Sequence, residues 1–379
     1  MSKIRIVKYS PILGNNVGDI IISKCIEYCF KKNDVEVESQ DLLFRKPLSF
    51  KSYGAIGGFK ISVSPLMQKY IPRIYYMIKL FLFYKHKNNQ IISKSSECYD
   101  AVILGGGNII MNNMGCDYSF RVIQILKKFR LSGKKTIIFG AGVGPFVFAE
   151  KSNLEKINKY SDVVFVRDRN SANYWKENNL NTPRVIFDPA FVVSDICPST
   201  TDKKIWIGVN LIGLMSKSKD APKWIHGLID LAKRTKLGIK IIVTAYPSDL
   251  FLSRELYNEI RDNGVDVKLE CLDYSVGSVM RCFSDLKIFV GCRMHSLIFA
   301  LSYGVPSIGY SWDDKVNAMF EMVFPGGGER FVVDDFFSMT TLILLESCLY
   351  EYPKINIETI KENIYKNCAE ISNYLTGSN

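Results

Sequence analysis

The sequence has 379 residues, enough for two domains of ordinary size, and 47% of them are hydrophobic, as expected for a globular protein with a substantial core. Ten cysteines occur without a CxxC pair and only three histidines are present, so no metal site is expected and the cysteines should be reduced, as in the cytoplasm. No apolar run approaches the roughly 20 residues that a membrane-spanning helix needs, and no secretion signal is expected at the N-terminus.

Most of the net charge of +11 lies in one window. From Leu42 to Ser96 there is no Asp or Glu, and ten Lys and Arg residues contribute +10. Inside it, Ile74–Tyr84 is aromatic and aliphatic, with flanking charges at Lys69, Arg73, Lys85 and Lys87. Such a pattern predicts a basic, membrane-facing insertion over about 42–96, with 66–87 at an anionic membrane surface. A hydrophobic helix packed between two domains would give the same pattern, and no nucleic-acid-binding motif accompanies the charge.

In the first half, short apolar runs alternate with helical segments. A helix is predicted from about Asp19 to Lys31. The predicted strands are Lys3–Tyr9, Ala101–Leu104, Thr136–Phe139 and Val163–Val166. Continuous apolar runs of this length suit parallel strands that are buried on both faces, so an α/β domain is expected over 1–198.

A polar, turn-forming segment at Cys197–Lys204 precedes a second series of elements. This series comprises strands at Ile205–Asn210, Lys240–Thr244 and Leu286–Val290 and a helix near Trp224–Arg234. We therefore expect a second α/β domain over 199–350 and a closing helix in 351–379 that packs back across the domains. The predicted fold is α/β, with two doubly wound Rossmann-like domains facing a cleft, which is a GT-B-like arrangement.

The most informative motif is one strand-helix-strand unit in the second half. Strand Leu286–Val290 leads through a turn to helix His295–Tyr303, which Gly304 ends, and strand Ser307–Tyr310 leads to a loop ending at Lys315. Because the strands of a right-handed crossover are parallel, the loops that follow them lie at the same sheet edge, where ligands bind in open α/β sheets. Arg293, His295 and Lys315 are therefore expected to converge, beside a helix N-terminus that favours an anion.

The stretch RMHSLIFALSYGVPSIGYSWDDK within this unit resembles the signature of the polysaccharide pyruvyltransferases. Further motifs agree in order along nearly the whole chain: GNNVGD (Gly14–Asp19), ILGGGN (Ile103–Asn108), FGAGVGP (Phe139–Pro145), VFVRDRNS (Val164–Ser171) and DPAF (Asp188–Phe191). The resemblance implies transfer of pyruvate from phosphoenolpyruvate to a sugar of a bacterial surface-glycan precursor, forming a pyruvate ketal without a cofactor.

The resemblance also implies site residues. In the family the Arg-x-His pair and the later Lys serve the phosphoenolpyruvate site, which gives His295 a role as general acid or base and makes Arg293 and Lys315 donor-binding cations. Arg167 is implied as a third cation, from the opposite domain. Arginine and lysine suit a donor with about three negative charges, since Arg grips carboxylate or phosphate bidentately and Lys adds a compact charge.

Each of these residues also has a structural interpretation. His295 could cap its helix, and Lys315 could be a solvated lysine at a helix start. The alternative partners are Asp285 or Asp313 for Arg293, and Asp168 or Asp162 for Arg167.

The glycine-rich loops of the first half are further candidates for donor or acceptor binding. We expect Asp19 to cap the first helix, while Asn16 is compatible with capping or with ligand binding. Gly106, Gly107 and Asn108 permit either close approach of a ligand or tight packing of the turn. The glycines at 140, 142 and 144 have GxGxG rather than GxGxxG spacing, which argues against a dinucleotide site.

Two other functions are compatible with the predicted fold. One is a GT-B glycosyltransferase that uses a nucleotide sugar, although no DxD triplet is present. The other is a non-catalytic, membrane-associated partner in glycan assembly. Under each interpretation we expect a cytoplasmic protein, with or without peripheral attachment to the inner face of the plasma membrane, and the basic window favours a lipid-linked acceptor.

Overall fold

A computed structural model of the protein describes residues 4–14, 16–45, 87–113, 116–213 and 219–377. Its strands are β1 (Ile6–Ser10), β2 (Val37–Asp41), β3 (Ala101–Gly105), β4 (Ile110–Asn113), β5 (Cys116–Asp117), β6 (Lys135–Ala141), β7 (Val143–Phe146), β8 (Val163–Val166), β9 (Arg184–Val185), β10 (Trp206–Asn210), β11 (Gly238–Val243), β12 (Val267–Cys271), β13 (Leu286–Gly291), β14 (Ser307–Tyr310) and β15 (Val332–Val333).

The helices connect these strands and cover their faces. They are α1 (Val17–Lys31), α2 (Lys87–Cys98), α3 (Tyr118–Leu131), α4 (Glu150–Tyr160), α5 (Arg169–Glu177), α6 (Val193–Ile196), α7 (Ala221–Thr235), α8 (Leu250–Asp262), α9 (Val276–Phe283), α10 (Met294–Ser302), α11 (Asp314–Val323), α12 (Met339–Tyr350) and α13 (Ile357–Thr376), with 3₁₀ helices at Pro189–Val192 and Gly328–Phe331.

Two parallel sheets of six strands organise the chain and confirm the predicted fold class. The first has the order β2-β1-β3-β6-β8-β9 and the second the order β12-β11-β10-β13-β14-β15. In each sheet the order reverses once, between β1 and β3 and between β10 and β13, which is the doubly wound arrangement. β1, β3 and β10 are buried along their whole length, as expected for strands covered by helices on both faces.

The two halves share an apolar core. Residues of α1, such as Ile21 and Ile22, belong to the same cluster of buried side chains as Ile207 and Val209 of β10. A backbone hydrogen bond from Val17 N to Thr244 O (3.1 Å) joins the start of α1 to the loop after β11. The carboxyl edges of the two sheets therefore face each other across a tight junction.

Helix α13 fastens the end of the chain to the first half. The Lys361 ammonium lies 2.5 Å from the Asp195 carboxylate, which also accepts a hydrogen bond of 2.6 Å from the Tyr365 hydroxyl. Arg184 of β9 pairs with Glu370 at 2.5 Å. These polar contacts join α13 to segments that come directly before and after the 3₁₀ helix at Pro189–Val192.

Only the two ends of the basic window, residues 42–45 and 87–96, lie within the described residues. Residues 87–96 form most of α2, whose Ile92 is buried in the core and whose Ser95 accepts a hydrogen bond of 2.9 Å from the Tyr9 hydroxyl. Leu42 is also fully buried. Both ends of the window are thus packed into the first half, because apolar and short polar side chains face the sheet there. Residues 46–86, with nearly all of the predicted membrane segment 66–87, lie outside the described residues. Among the helices that the structure describes, none is long and apolar enough to cross a membrane.

Candidate functional site

A cluster of polar side chains lies where the carboxyl edges of the two sheets meet. Arg167, Asp188 and His295 are buried in it and Asp19 and Asn108 are half-buried, and we call these five residues the buried polar cluster. Asp188, in the segment after β9, links the halves: its Oδ2 atom lies 3.4 Å from Nη1 of Arg167 and 3.6 Å from Nε2 of His295. The structure thus brings two predicted site residues, Arg167 from the first half and His295 from the second, to one carboxylate.

The imidazole of His295 is closely confined. The residue is only 9% exposed, and its ring stacks on Phe299 one helical turn later in α10. A Cβ atom at Gly18 would lie 2.2 Å from Nδ1, so the first turn of α1 leaves room for the ring only because residue 18 is glycine. On the other side, Nε2 is buried and makes no hydrogen bond within the described residues, since 3.6 Å to Asp188 exceeds hydrogen-bonding distance.

His295 does not cap its helix, so that structural interpretation is wrong. Arg293 is the N-cap residue of α10, and its side chain makes no cap hydrogen bond. His295 is the second residue of α10, and it points from the second half toward the first turn of α1.

Arg167 extends β8 into the same cluster and is 4% exposed. Its Nε atom lies 3.6 Å from Asp168, makes no hydrogen bond within the described part of the chain and is shielded from solvent. Its Nη2 atom and the Oδ1 atom of Asn108 each lie 2.6 Å from where a Gly142 Cβ would be, so this glycine of the GxGxG segment provides space for the two side chains. Asp168 is therefore a neighbour of Arg167, as the structural alternative anticipated, whereas Asp162 pairs with Arg130.

Asn16 takes one of its two expected roles, whereas the expectation that Asp19 caps the first helix is wrong. Asn16, which has an extended backbone, is the N-cap of α1, and its Oδ1 accepts from Gly18 N at 3.1 Å. Asp19 is already inside the first turn and so cannot cap it; its Oδ2 accepts from Asn16 Nδ2 at 3.2 Å. Its Oδ1 lies 2.7 Å from where a Gly107 Cβ would be, so Asp19 faces the turn after β3.

That turn places Asn108 in the cluster. Gly106 and Gly107 adopt positive φ angles of 77° and 81°, which glycine adopts without steric cost. Asn108 donates from Nδ2 to the carbonyl oxygen of Gly144 at 2.5 Å, and its Oδ1 atom is buried without a hydrogen bond from any described residue.

The pKa values of the two carboxyl groups of the cluster are shifted in opposite directions. Burial raises the pKa of Asp19, and the charges of His295 and Arg167 only partly offset this effect. For Asp188, burial also favours the neutral form, but its interactions with His295 and Arg167 outweigh burial and hold its pKa below the usual value. Environments that separate the pKa values of neighbouring groups are typical of active sites.

Arg293 is anchored in the second half, next to the switch point between β10 and β13. Its backbone N–H donates to Asn210 Oδ1 at 3.1 Å, and its guanidinium forms a bidentate pair with Asp249 at 2.9 and 2.7 Å. The expected alternative partners are both engaged elsewhere, Asp285 with Lys240 and Asp313 with Lys315.

Lys315 lies in a different depression, which we call the interdomain cleft. Its ammonium is 2.8 Å from the Asp313 carboxylate, the N-cap of α11. The cleft has a volume of about 620 Å³ and is lined from the first half by Val143, Gly144, Pro145, Asp168, Asn170, Ser171, Asn173, Tyr174 and Glu177, and from the second by Ser311, Trp312, Asp313, Asp314 and Lys315.

The predicted convergence of Arg293, His295 and Lys315 does not take the form of direct contact. Within the described chain no hydrogen bond or ion pair joins these three side chains, and each approaches a different carboxylate. The cluster and the cleft are nevertheless adjacent, because Asp168 lines the cleft and lies beside Arg167. A second, water-sized cavity of about 10 Å³ lies against Arg167 and Asp188.

Two carboxylates of the site did not emerge from the sequence as functional candidates. Asp188 belongs to the DPAF motif, and Asp249 follows β11 with 0% exposure. The position of each in the segment after a strand was the available signal, but which cation an aspartate will meet depends on tertiary packing.

Two facing doubly wound domains with a polar site between their carboxyl edges define a GT-B-like protein. Solved structures with this fold include the UDP complex of MnaA from S. aureus (13% identity, TM-score 0.56, covering 98% of this chain and 97% of that one) and UDP-GlcNAc 2-epimerase from Methanocaldococcus jannaschii (12%, 0.54, 99% and 100%). Alr3699/HepE from Anabaena in complex with UDP-glucose is also similar (10%, 0.50, 98% and 94%). At these identities the likeness concerns the fold alone.

The family is defined by the sequence. The model of the polysaccharide pyruvyl transferase family matches residues 16–314, so the chain belongs to this family and is a transferase. The match begins at the N-cap of α1 and ends in the first turn of α11, and it therefore includes the whole buried polar cluster. No curated protein matches the chain.

Proposed function

We propose that the protein transfers the pyruvyl group of phosphoenolpyruvate to two hydroxyls of a sugar in a surface-glycan precursor, forming a pyruvate ketal. One observation carries the proposal: Asn108 Oδ1, Arg167 Nε and His295 Nε2 are buried in one cluster without hydrogen-bond partners among the described residues. Native proteins rarely leave such atoms unsatisfied except where a ligand, water or reaction uses them. Family membership supports a pyruvyl donor as that ligand.

The reaction requires proton transfer at two kinds of atom. A proton is added to the methylene carbon C3 of phosphoenolpyruvate, while the first sugar hydroxyl bonds to C2 and gives up its proton. The bond between C2 and the phosphate oxygen breaks, phosphate leaves with the electron pair, and the second hydroxyl bonds to C2 and gives up its proton. One released proton balances the one added to C3, and the other leaves with phosphate.

In this reaction His295 would transfer the protons. Its Nε2 atom is the ring nitrogen that has no hydrogen bond, whereas Nδ1 is pressed against Gly18. Asp188, 3.6 Å from Nε2, would stabilise the charged imidazolium that a general base becomes. A positioned general acid or base contributes about 10²–10⁴-fold to a reaction rate.

Arg167, Arg293 and Lys315 would hold the anionic groups of the donor and the leaving phosphate. Each already approaches a carboxylate, so the donor has to share or displace those partners. The cavity beside Arg167 holds no more than a water molecule, so the donor would enter from the interdomain cleft past Asp168. Desolvation of donor and cations together would then strengthen their attraction.

We further propose that the acceptor is carried on a lipid at the cytoplasmic face of the membrane. The acid-free window at 42–96 supports this, because a basic surface is attracted to anionic lipids. Removing the four flanking charges at Lys69, Arg73, Lys85 and Lys87 should release the protein from anionic vesicles at low salt. Failure of the unaltered protein to bind such vesicles would refute the membrane part alone.

A nucleotide-sugar glycosyltransferase is the second candidate, because UDP or UDP-glucose is bound in similar solved structures. Thermal shift separates the two, since a ligand that binds only the folded state raises the melting temperature. We expect phosphoenolpyruvate to raise it and UDP-sugars to leave it unchanged. The reverse result would favour the glycosyltransferase.

The decisive experiment combines phosphate release with mass spectrometry. The protein is incubated with phosphoenolpyruvate and lipid-linked glycan precursors, and we expect acceptor-dependent phosphate release and an acceptor that gains one pyruvyl ketal. His295→Gln should lower kcat/KM by about 10²-fold or more. The matched control is His226→Gln, an exposed histidine of α7, which should retain activity. Equal activity of the two variants would remove His295 from the mechanism, and donor turnover in neither the variants nor the unaltered protein would refute the function, leaving a non-catalytic role.

A further inference from the structure

The interdomain cleft has a chemical character different from that of the cluster. Four carboxylates line it, those of Asp168, Glu177, Asp313 and Asp314, and Lys315 is its one lining cation among the described residues. Away from Lys315, such a lining would repel a small donor with about three negative charges, since like charges in partly desolvated sites are unfavourable. The part of the cleft away from Lys315 therefore suits the other substrate.

The second half of the chain contributes an exposed aromatic side chain, Trp312, to the cleft. Trp312 is 41% exposed, whereas Trp175, Trp206 and Trp224 are at most 3% exposed. Its indole Nε1–H donates to the carbonyl oxygen of Cys292, and its backbone N–H donates to Tyr310 O at 3.0 Å. The ring is thus held rigidly with part of its surface in solvent, which favours stacking by the apolar face of a sugar ring at little entropic cost.

The first half supplies further groups to the cleft. Tyr174, partly buried, is packed so closely on Gly144 that a Cβ there would lie 2.0 Å from its hydroxyl. The exposed amides of Asn170 and Asn173 add donors and acceptors for hydroxyl groups, and Asn170 Nδ2 reaches Asp314 O in the second half at 3.4 Å. An open volume of about 620 Å³ with aromatic and hydrogen-bonding walls has the character of a ligand pocket.

We infer that this cleft binds the acceptor with a pyranose ring stacked on Trp312, and that its carboxylates select a neutral or amino sugar over a uronic acid. The inference rests on the proposed function, because the acceptor must lie within reach of the donor. Asp168 provides the connection: it lines the cleft and lies 3.6 Å from Arg167 in the cluster. Carboxylates accept hydrogen bonds from sugar hydroxyls and attract an ammonium, but they repel the carboxylate of a uronic acid.

Sugar binding to the cleft can be followed by tryptophan fluorescence, because Trp312 is the exposed one of the four tryptophans. The full-length protein is titrated at millimolar concentrations with methyl glycosides of glucose, galactose, N-acetylmannosamine and galactosamine, and with glucuronate and galacturonate. We expect at least one neutral or amino sugar to change the fluorescence and to protect Trp312 from acrylamide quenching, with its uronate binding at least about threefold more weakly. No response from any sugar, or equal or tighter uronate binding, would overturn the inference.

Two sets of substitutions test separately the stacking on Trp312 and the effect of the cleft carboxylates. Trp312→Ala, followed by ligand-observed NMR because the fluorophore is lost, should weaken sugar binding about tenfold. Tyr350→Ala, which removes an aromatic ring with 74% exposure outside the cleft lining, is the matched control and should bind normally. In the double variant Glu177→Gln and Asp314→Asn, the ratio of the affinity for a neutral sugar to that for its uronate should fall about threefold or more. An unchanged ratio would show that these carboxylates do not select against uronic acids.

The donor-side readout distinguishes the inference from the proposed function. Trp312→Ala should retain the full rise in melting temperature with phosphoenolpyruvate. A lost donor response in this variant, with a normal response in the unaltered protein, would make the Trp312 face of the cleft a donor site and overturn the inference. Absence of a donor response in the unaltered protein would count against the proposed function, while the sugar titrations would still judge the cleft.

Discussion

Replacing Gly18 with alanine tests whether the position of His295 matters, without changing any polar group. Gly18 is the second residue of α1, two positions after the Asn16 cap. A Cβ atom there would lie 2.2, 2.6 and 2.8 Å from Nδ1, Cγ and Cβ of His295. Carbon atoms in contact are normally about 3.5–4.0 Å apart, so the imidazole would have to move by more than about 1 Å.

The expected effects on activity and stability differ in size. A displacement of about 1 Å in a reacting group can lower the rate about 10²-fold, so kcat/KM for phosphate release should fall by roughly that factor. Overpacking costs about 1–3 kcal/mol, but alanine in a helix gains about 1 kcal/mol over glycine, so the net loss of stability should be about 0–2 kcal/mol. The melting temperature should fall by only a few degrees.

Gly277→Ala is a closely matched control. Gly277 is also the second residue of a helix, α9, two positions after the Ser275 cap. A Cβ at Gly277 would meet nothing nearer than Arg281 Nη1 at 3.5 Å, which is an ordinary contact. This variant should keep its activity and should be equally or slightly more stable.

The assay is acceptor-dependent phosphate release from phosphoenolpyruvate, with melting temperatures measured on the same samples. Full activity of Gly18→Ala would refute the argument, because it would mean that the imidazole can shift without consequence for the reaction. Equal losses in Gly18→Ala and Gly277→Ala would assign the effect to the helices rather than to His295.

Three further predictions concern individual charges. The pKa of Asp188 is held low by His295 and Arg167 against burial, so its carboxylate stabilises the fold above the ordinary pKa near 4, and this contribution is lost as pH falls through the lowered value. Asp188→Asn should therefore be less stable by about 1–3 kcal/mol at pH 7 in denaturant unfolding, with a difference that disappears in acid, and equal stability at pH 7 would contradict this. Burial lowers the pKa of Lys8 from 10.5 to about 8, so the folded protein holds fewer protons than the unfolded chain between these values and its stability rises with pH across this window. Lys8→Met should stabilise the protein by about 1–2 kcal/mol at pH 7 and abolish that rise, whereas a loss of stability would show that the pair with Glu27 outweighs desolvation. Arg167→Lys should raise the KM for phosphoenolpyruvate about tenfold, since lysine cannot reproduce the guanidinium fork, and an unchanged KM would remove Arg167 from the donor site.

The fold could be predicted because its strongest signals are local. β8 and β14 have the predicted bounds, Val163–Val166 and Ser307–Tyr310, since apolar runs between turn residues have few alternatives in a parallel sheet. The small sheet of β5, β4 and β7 was not predicted. Two-residue strands such as β9 were also missed, because such short segments carry no periodic pattern.

The cations and the histidine of the candidate site could be predicted from the sequence, but the carboxylate that each of them approaches could not. The sequence placed Arg167 after a strand and His295 at the start of a helix, and both lie in the cluster. It could not identify Asp188 as the carboxylate between them, because Asp188 is distant from both in sequence and meets them only through packing of the two halves. The expectation that Asp19 caps the first helix failed for a local reason: the helix begins at Val17, two residues earlier than the pattern indicated.

The pairing of each predicted cation with a carboxylate bears on how such a site can work. An unpaired Arg167 at 4% exposure would be costly in the folded protein, so Asp188 stabilises the empty site. A donor that brings its own carboxylate and phosphate can take over that role, and the displaced Asp188 would then remain beside His295, 3.6 Å from Nε2. One carboxylate would thereby stabilise the empty site and also assist His295 during the reaction, so Asp188→Asn should lower kcat as well as reduce stability. A kcat unchanged by this substitution, measured with saturating donor, would show that Asp188 serves the fold alone.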